Sequence, residues 1–456
     1  MQVFRPTLLS VSTLAASMLV LGMAGLQPAL ARHHGGTSSG TGQTLAPSPG
    51  NEVLTGAVGE WLQKAQAALR AHNLTQAMEA VNAAQAVPGK TAYDNDTIAE
   101  MAAAVAMQAG QPEVAVRAYD MLIHSPRTTR AQKAQMLNSE IGIAYAAKNY
   151  PQVEATVARY LKEIGPSDKL ETLLVQIPYS QQNWAAAVKA ALAQVDAARR
   201  TGTRPPEAVL QLLASAQKAL HNFSGVTAAY ALSARYYPSA LYWQNLLYNL
   251  ASDKGLTSRL GFNLARLRLT AGLATNAATY RDLAERAVQM GLPQLALNLL
   301  DYGQAHHVLG PGSGATPAEL NAQARFQAFV TQQVVKLKAT LPQQVAAAQT
   351  SPAPGPALTT GYDLVLAGQA HEGLALMRTG LSRHPKHPAA ALLEYGMALL
   401  DSGRVNDALK VFALVPPDTT ARSLADAWTA LLLTPPQTLK QVLVQPAQRS
   451  TSPHTR

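Results

Sequence analysis

The feature that most constrains this chain is one unit, two short helices joined by a tight turn, that recurs along most of its length. Small or β-branched residues recur at Ala77, Ala115, Val153, Ala187 and Val226, at steps of 38, 38, 34 and 39 residues. The pattern is fullest at Tyr280 to Gly303, YRDLAERAVQMGLPQLALNLLDYG. There Tyr280, Leu283, Ala284 and Ala287 fall at helical spacing, Gly291 interrupts, and Ala296 and Leu300 open a second apolar face. Small side chains stand where two helix backbones must approach. A single such unit cannot bury its apolar face alone, so successive units must stack on their neighbours.

Nine units can be followed. The first begins at Trp61 and closes at Pro88, the second runs from about Asp96 to Pro126, and the third covers 135–166. The fourth, 170–204, is degenerate but keeps its second helix in NWAAAVKAAL; the fifth spans 207–238, the sixth 240–274, and the seventh is the Tyr280 unit. The segment HHVLGPGSGATP, 306–317, breaks the series. A helix is predicted over 317–340, followed by a Gln-, Ala- and Pro-rich hinge over 341–356. Units eight and nine follow, with Gly368, Gly373, Met377 and Gly380 in one, and Gly396, Leu399, Gly403, Ala408 and Phe412 in the other, at an offset of 35 residues. The resulting division is 1–31, 32–51, 52–305 (units one to seven), 306–356, 357–434 (units eight and nine) and a polar tail, 435–456, expected to be disordered.

These positions resemble the tetratricopeptide repeat, whose period is 34 residues. The resemblance implies an all-α fold, a tetratricopeptide-like α-solenoid in which helix–turn–helix repeats stack into a right-handed superhelix that binds other proteins. The run YYPSALYWQNL, LARLRLTAGL and YRDLAERAVQMGLPQLALNLLDYG is also similar to exported bacterial repeat proteins that accompany TonB–ExbB–ExbD energy transducers. That second likeness covers about 75 residues, carries no catalytic motif, and implies a place in the cell envelope.

Composition agrees with closely packed helices. Hydrophobic residues make up 48% of the chain and aromatics only 5%, so Ala and Leu carry the packing. Charged residues amount to 14%, well below the usual share of about a quarter. Few carboxylates are left for acid–base or metal chemistry. The net charge of +10 comes from scattered basic residues with no aromatic interleaving, which points away from nucleic acid. Cysteine is absent, so disulfides, thiolate nucleophiles, Cys-ligated zinc and a lipidated N-terminal Cys are excluded.

Residues 1–31 read as a secretory signal: Arg5, an apolar stretch from Leu8 to Leu26, and the small-x-small site Ala29-Leu30-Ala31. Cleavage near Ala31 would deliver the chain to the periplasm or beyond. No other stretch reaches the roughly 18 apolar residues of a spanning helix. The leader 32–51 is rich in Gly, Ser, Thr and Pro, and His33-His34 within it lack the further ligands a metal site needs.

No phosphate loop, nucleophile elbow or H-E-x-x-H pair occurs. His306-His307 and the segment RHPKHP, 383–388, read as turns between helices. The expectation is therefore a scaffold, not an enzyme, with no cofactor and no metal, that binds protein partners of the envelope, in a TonB-type transport or export assembly. The alternative is an α/α carbohydrate-active enzyme or polysaccharide-binding protein, which would need facing carboxylates in an aromatic cleft. By the resemblance, the groove is lined by first-helix residues: Gln211, Ser215, Lys218, Gln244, Tyr248, Arg281, Glu285 and Gln289.

Overall fold

The computed structural model describes residues 53–273 and 276–439, and the expected signal and leader and the stretch beyond Leu439 lie outside them. Among the described residues the protein is all helix, with no strand. Units one to four are the pairs α1 (Gly56–Arg70) and α2 (Leu74–Ala86), α3 (Ala92–Gln108) and α4 (Pro112–His124), α5 (Arg130–Ala146) and α6 (Tyr150–Glu163), and α7 (Asp168–Ser180) and α8 (Trp184–Thr201). Units five to seven are α9 (Glu207–Ala219) and α10 (Phe223–Tyr236), α11 (Ala240–Ala251) and α12 (Ser258–Thr270), and α13 (Ala277–Gln289) and α14 (Pro293–Ala305). A long helix, α15 (Pro317–Thr350), precedes unit eight, α16 (Pro354–Leu366) and α17 (Ala370–Ser382), and unit nine, α18 (Pro388–Asp401) and α19 (Val405–Leu414). The described chain closes with α20 (Thr420–Leu433) and a helical turn at 436–439 whose Leu439 packs on the core.

One backbone device makes eight of the nine hairpins. The connection is three residues long, and its middle residue is left-handed: His72, Gly110, Lys148, Gln182, His221, Gly291, Gly368 or Gly403. The amide after it reaches back to a carbonyl of the first helix, as in Asn73 N–H to Ala68 O at 2.9 Å and Leu292 N–H to Ala287 O at 2.9 Å. This is the six-to-one bond that satisfies a helix C-terminus. At Asn73, Asn149, Asn183 and Asn222 the same residue then caps the second helix, its side chain accepting from the amide three positions on. Five residues past each left-handed position lies a buried small or β-branched residue, and Ala77, Ala115, Val153, Ala187 and Val226 are five of them. The steps read from the sequence are therefore the steps of the turn.

Unit six departs from this. Its connection, 252–257, is six residues long, and Thr257 caps α12 through the Leu260 amide. The extra length lets the turn reach α20, where Gly255 faces Thr420 so closely that a Cβ would stand 2.3 Å from the threonine oxygen.

The described residues divide into two compact blocks that part between Leu174 and Val175. In the first, neighbouring helices from α1 to α6 pack in sequence around Leu62, Ala77, Val81, Val105, Ala115, Ile123 and Leu137. In the second, the packing is not only sequential. Helix α20 lies against α10, α11 and α12, and also against α18 and α19. Trp243 of α11 and Trp428 of α20 are fully buried in one core with Phe412 and Leu267. Ser224 also hydrogen-bonds Asp418 at 3.1 Å, at the start of α20. The last helices are thus folded back onto units five and six.

The hinge expected at 341–356 is not there, and α15 does not stop at 340. It continues through Pro342 to Thr350. Leu341, Val345 and Ala348 keep helical spacing and pack on Ala357, Leu364 and Leu376 of unit eight. Arg383 donates to the carbonyls of Ala348 and Gln349, giving the helix end its missing partners. The burial and the cap outweigh the single amide that Pro342 cannot supply.

Candidate functional site

Helix α12 packs on α11, α13 and α20, and two of its arginines reach across to the first helices of units eight and nine. Arg266 lies between Leu264 and Leu267 on α12, and its side chain is only 10% exposed. Its Nη1 donates to Tyr362 Oη at 2.9 Å and its Nη2 to Asp401 Oδ1 at 2.5 Å. Tyr362 in turn donates to Asp401 Oδ2 at 2.6 Å. Burial works against the Arg266 charge, but Asp401 and Tyr362 outweigh it and hold its pKa above the usual value. Burial likewise raises Tyr362, which stays a phenol and a donor. Two turns earlier, Arg259 pairs with Glu394 of α18. Phe262, Asn263, Met290, Leu292 and Met397 line, with these residues, a small cavity beside the contacts.

The register of these contacts gives the site its meaning. Counting back ten, six and two residues from the left-handed turn residue gives Leu358, Tyr362 and Leu366 in unit eight, and Leu393, Met397 and Asp401 in unit nine. Leu358, Tyr362, Leu393 and Met397 are buried, and Tyr362 and Asp401 bind Arg266. The same count gives Arg281, Glu285 and Gln289 in unit seven, and Gln211 and Ser215 in unit five. In unit six, Gln244 and Tyr248 follow the buried Trp243 as Arg281 and Glu285 follow the buried Tyr280. Seven of the eight residues inferred from sequence fall at these positions, and Lys218 lies one residue before the third of them in unit five.

Their present engagements differ. Gln211 Nε2 donates to Tyr242 Oη at 2.9 Å, and Tyr242 donates to Glu207 at 2.7 Å. Burial, with the Glu207 carboxylate, pushes the Tyr242 phenol up to about 12, the Gln211 bond opposing it. Ser215 and Tyr179 share a hydrogen bond of 2.6 Å. Gln211 and Ser215 therefore stitch α7, α9 and α11 into one surface. Glu285 is half-buried and pairs with Arg281 at 2.9 Å. Lys218, Gln244, Arg281 and Gln289 are exposed, and Tyr248 is 67% exposed, an unusual placement for so large a ring.

Sequence reasoning missed Arg259, Arg266, Tyr362, Glu394 and Asp401. One signal was present: Asp401 occupies in unit nine the slot of Gln289 in unit seven.

No family model and no curated protein matches the sequence. Among solved structures, a chain of the structure of Naa15/Naa10 bound to HypK-THB is similar to 78% of this chain, covering 68% of its own length, at 11% identity and a TM-score of 0.20.

Proposed function

We propose that this chain is a non-catalytic scaffold whose first-helix groove in units five to seven receives an amphipathic helix of a partner protein. The observation that carries this reading is internal to the molecule. Units eight and nine already receive side chains of a helix, α12: Tyr362 and Asp401, at the equivalent positions, take Arg266, and Glu394 takes Arg259. A helix in a groove is a recurrent recognition mode, read through anchors one turn apart. Tyr248 and Arg281 are of the residue types that most often dominate such interfaces.

The place of action is the cell envelope, in a TonB-type transport or export assembly. The support is the signal-like N-terminus and the likeness of residues 230–303 to exported repeat proteins. Among the described residues no helix is long and apolar enough to cross a membrane. Two experiments test the proposal. N-terminal sequencing of tagged protein from the envelope fraction should begin near Arg32, and intact Met1 in the cytoplasmic fraction would refute export. Capture from envelope extracts with the Tyr248→Ala/Arg281→Ala variant should lose a partner that the wild type retains, with helical content unchanged.

A further inference from the structure

The clasp on α12 is not balanced. Two guanidinium groups, Arg259 and Arg266, face three carboxylates. Glu394 takes Arg259, and Asp401 takes Arg266. The third, Asp363, sits next to Tyr362 on α16, is 3% exposed, and its Oδ1 has no hydrogen-bond partner. An isolated buried carboxylate is costly unless it is paired or protonated.

The charged surroundings can be named helix by helix. From α12, Arg259 faces Asp363 and is shared with Glu394 of α18. Arg266, Tyr362 and Asp401 form the adjoining closed triad. Lys338 of α15 and Glu372 of α17 line, with Leu364, a separate cleft on α16.

We propose that Asp363 is a proton-operated latch: protonated, it leaves the arginines matched by Glu394 and Asp401 and the groove closed on α12; ionised, it adds an unpaired buried charge that loosens the clasp. Burial pushes the Asp363 carboxyl up to about 7, with Arg259 opposing. The folded clasp therefore keeps a proton that an opened one releases. Stability is complete near the ordinary value of 3.8, falls as the pH rises from there, and levels off above about 7.

The test is hydrogen exchange of the α12 amides from pH 5 to 8.5, expressed as protection relative to intrinsic rates. Wild type should lose up to about tenfold in protection per pH unit below pH 7 and little beyond it. Asp363→Asn keeps the shape without the charge and should flatten that slope. Arg259→Gln removes the opposing cation and should carry the loss to higher pH. The same pH dependence in Asp363→Asn and wild type would overturn the latch. So would a carboxyl carbon NMR titration of wild-type Asp363 with its midpoint below pH 5, which needs no variant to fold.

Discussion

Arg266 and Asp401 lie 135 residues apart in the chain, yet their side chains meet at 2.5 Å and are almost closed to solvent. They tie the second helix of unit six to the first helix of unit nine. An array whose units touched only their neighbours would have no such contact.

Breaking one side of this pair should be costly. Arg266→Met leaves Asp401 buried against Tyr362 alone, and Asp401→Asn leaves a buried guanidinium short of charge. Either should lower stability by about 3–5 kcal/mol for full loss of the partner, the amide variant less. The double variant Arg266→Met/Asp401→Leu should recover much of the loss, because a well-packed apolar pair replaces two ions. Chemical denaturation checks both, and equal midpoints for Arg266→Met and wild type would show that the clasp holds nothing.

The hairpin of unit eight depends on two glycines that admit no side chain. A Cβ on Gly373 would lie 2.4 Å from Gly361 O and 2.8 Å from the Val365 amide, both backbone atoms that cannot swing aside. Gly373→Ala should therefore separate α16 from α17 and destabilise by about 1–3 kcal/mol. Ala296→Leu, at a fully buried contact in unit seven, should cost a similar amount, and Ala296→Ser less. Thermal melting of the three variants ranks them, and an unaltered melting temperature for Gly373→Ala would show that the helices are not so close.

Non-glycine residues at the left-handed turns carry strain. His72, Lys148, Gln182 and His221 adopt φ between 54° and 58°. That conformation costs roughly 1–2 kcal/mol for a side chain with a Cβ, and glycine returns part of this as lost chain entropy. Lys148→Gly and His221→Gly should each raise stability by about 0.5–1 kcal/mol. A fall on either substitution, measured by denaturant midpoint, would mean that the replaced side chain holds the turn.

A buried acid should also make the N-terminal block pH-sensitive. Glu140 of α5 is 4% exposed and its Oε1 has no partner. Burial first, and then Asp120 and Glu163, push it up to about 7, with Arg159 opposing. The folded state keeps this proton, so stability should decline as the pH rises from the ordinary 4.5 towards 7 and then level off. Glu140→Gln should remove that decline and be the more stable protein at pH 8. A variant no more stable than wild type at pH 8 would show that Glu140 is ionised there without penalty.

Much of this fold was legible in the sequence, for a local reason. The turn bond, the Asn cap and the buried Ala or Val lie within about ten residues of one another, so each repeat records its own geometry. That is why Ala77, Ala115 and Ala187 marked the register, and why Arg281, Glu285 and Gln289 fell on one face. What the sequence did not disclose is non-local. The fold-back of α20 rests on contacts such as Ser224 with Asp418, which no period announces. Pro342 reads as a break because proline usually is one, and only the packing of Leu341 and Ala348 on unit eight keeps α15 whole. Gln211 and Ser215 share one face of α9 by their spacing, but their hydrogen bonds to Tyr242 and Tyr179 follow from how adjacent units meet.

The central claim is that the first-helix positions of units five to seven are a helix-binding surface, as those of units eight and nine are for α12. Site-specific photo-crosslinking in cells producing the full chain tests it most directly. A crosslinker at Tyr248 or Gln289 should trap a defined protein, while one at Gln294, a half-buried position on the second helix of unit seven, should not. Crosslinks from Gln294 alone, or the same products from all three positions, would contradict the account.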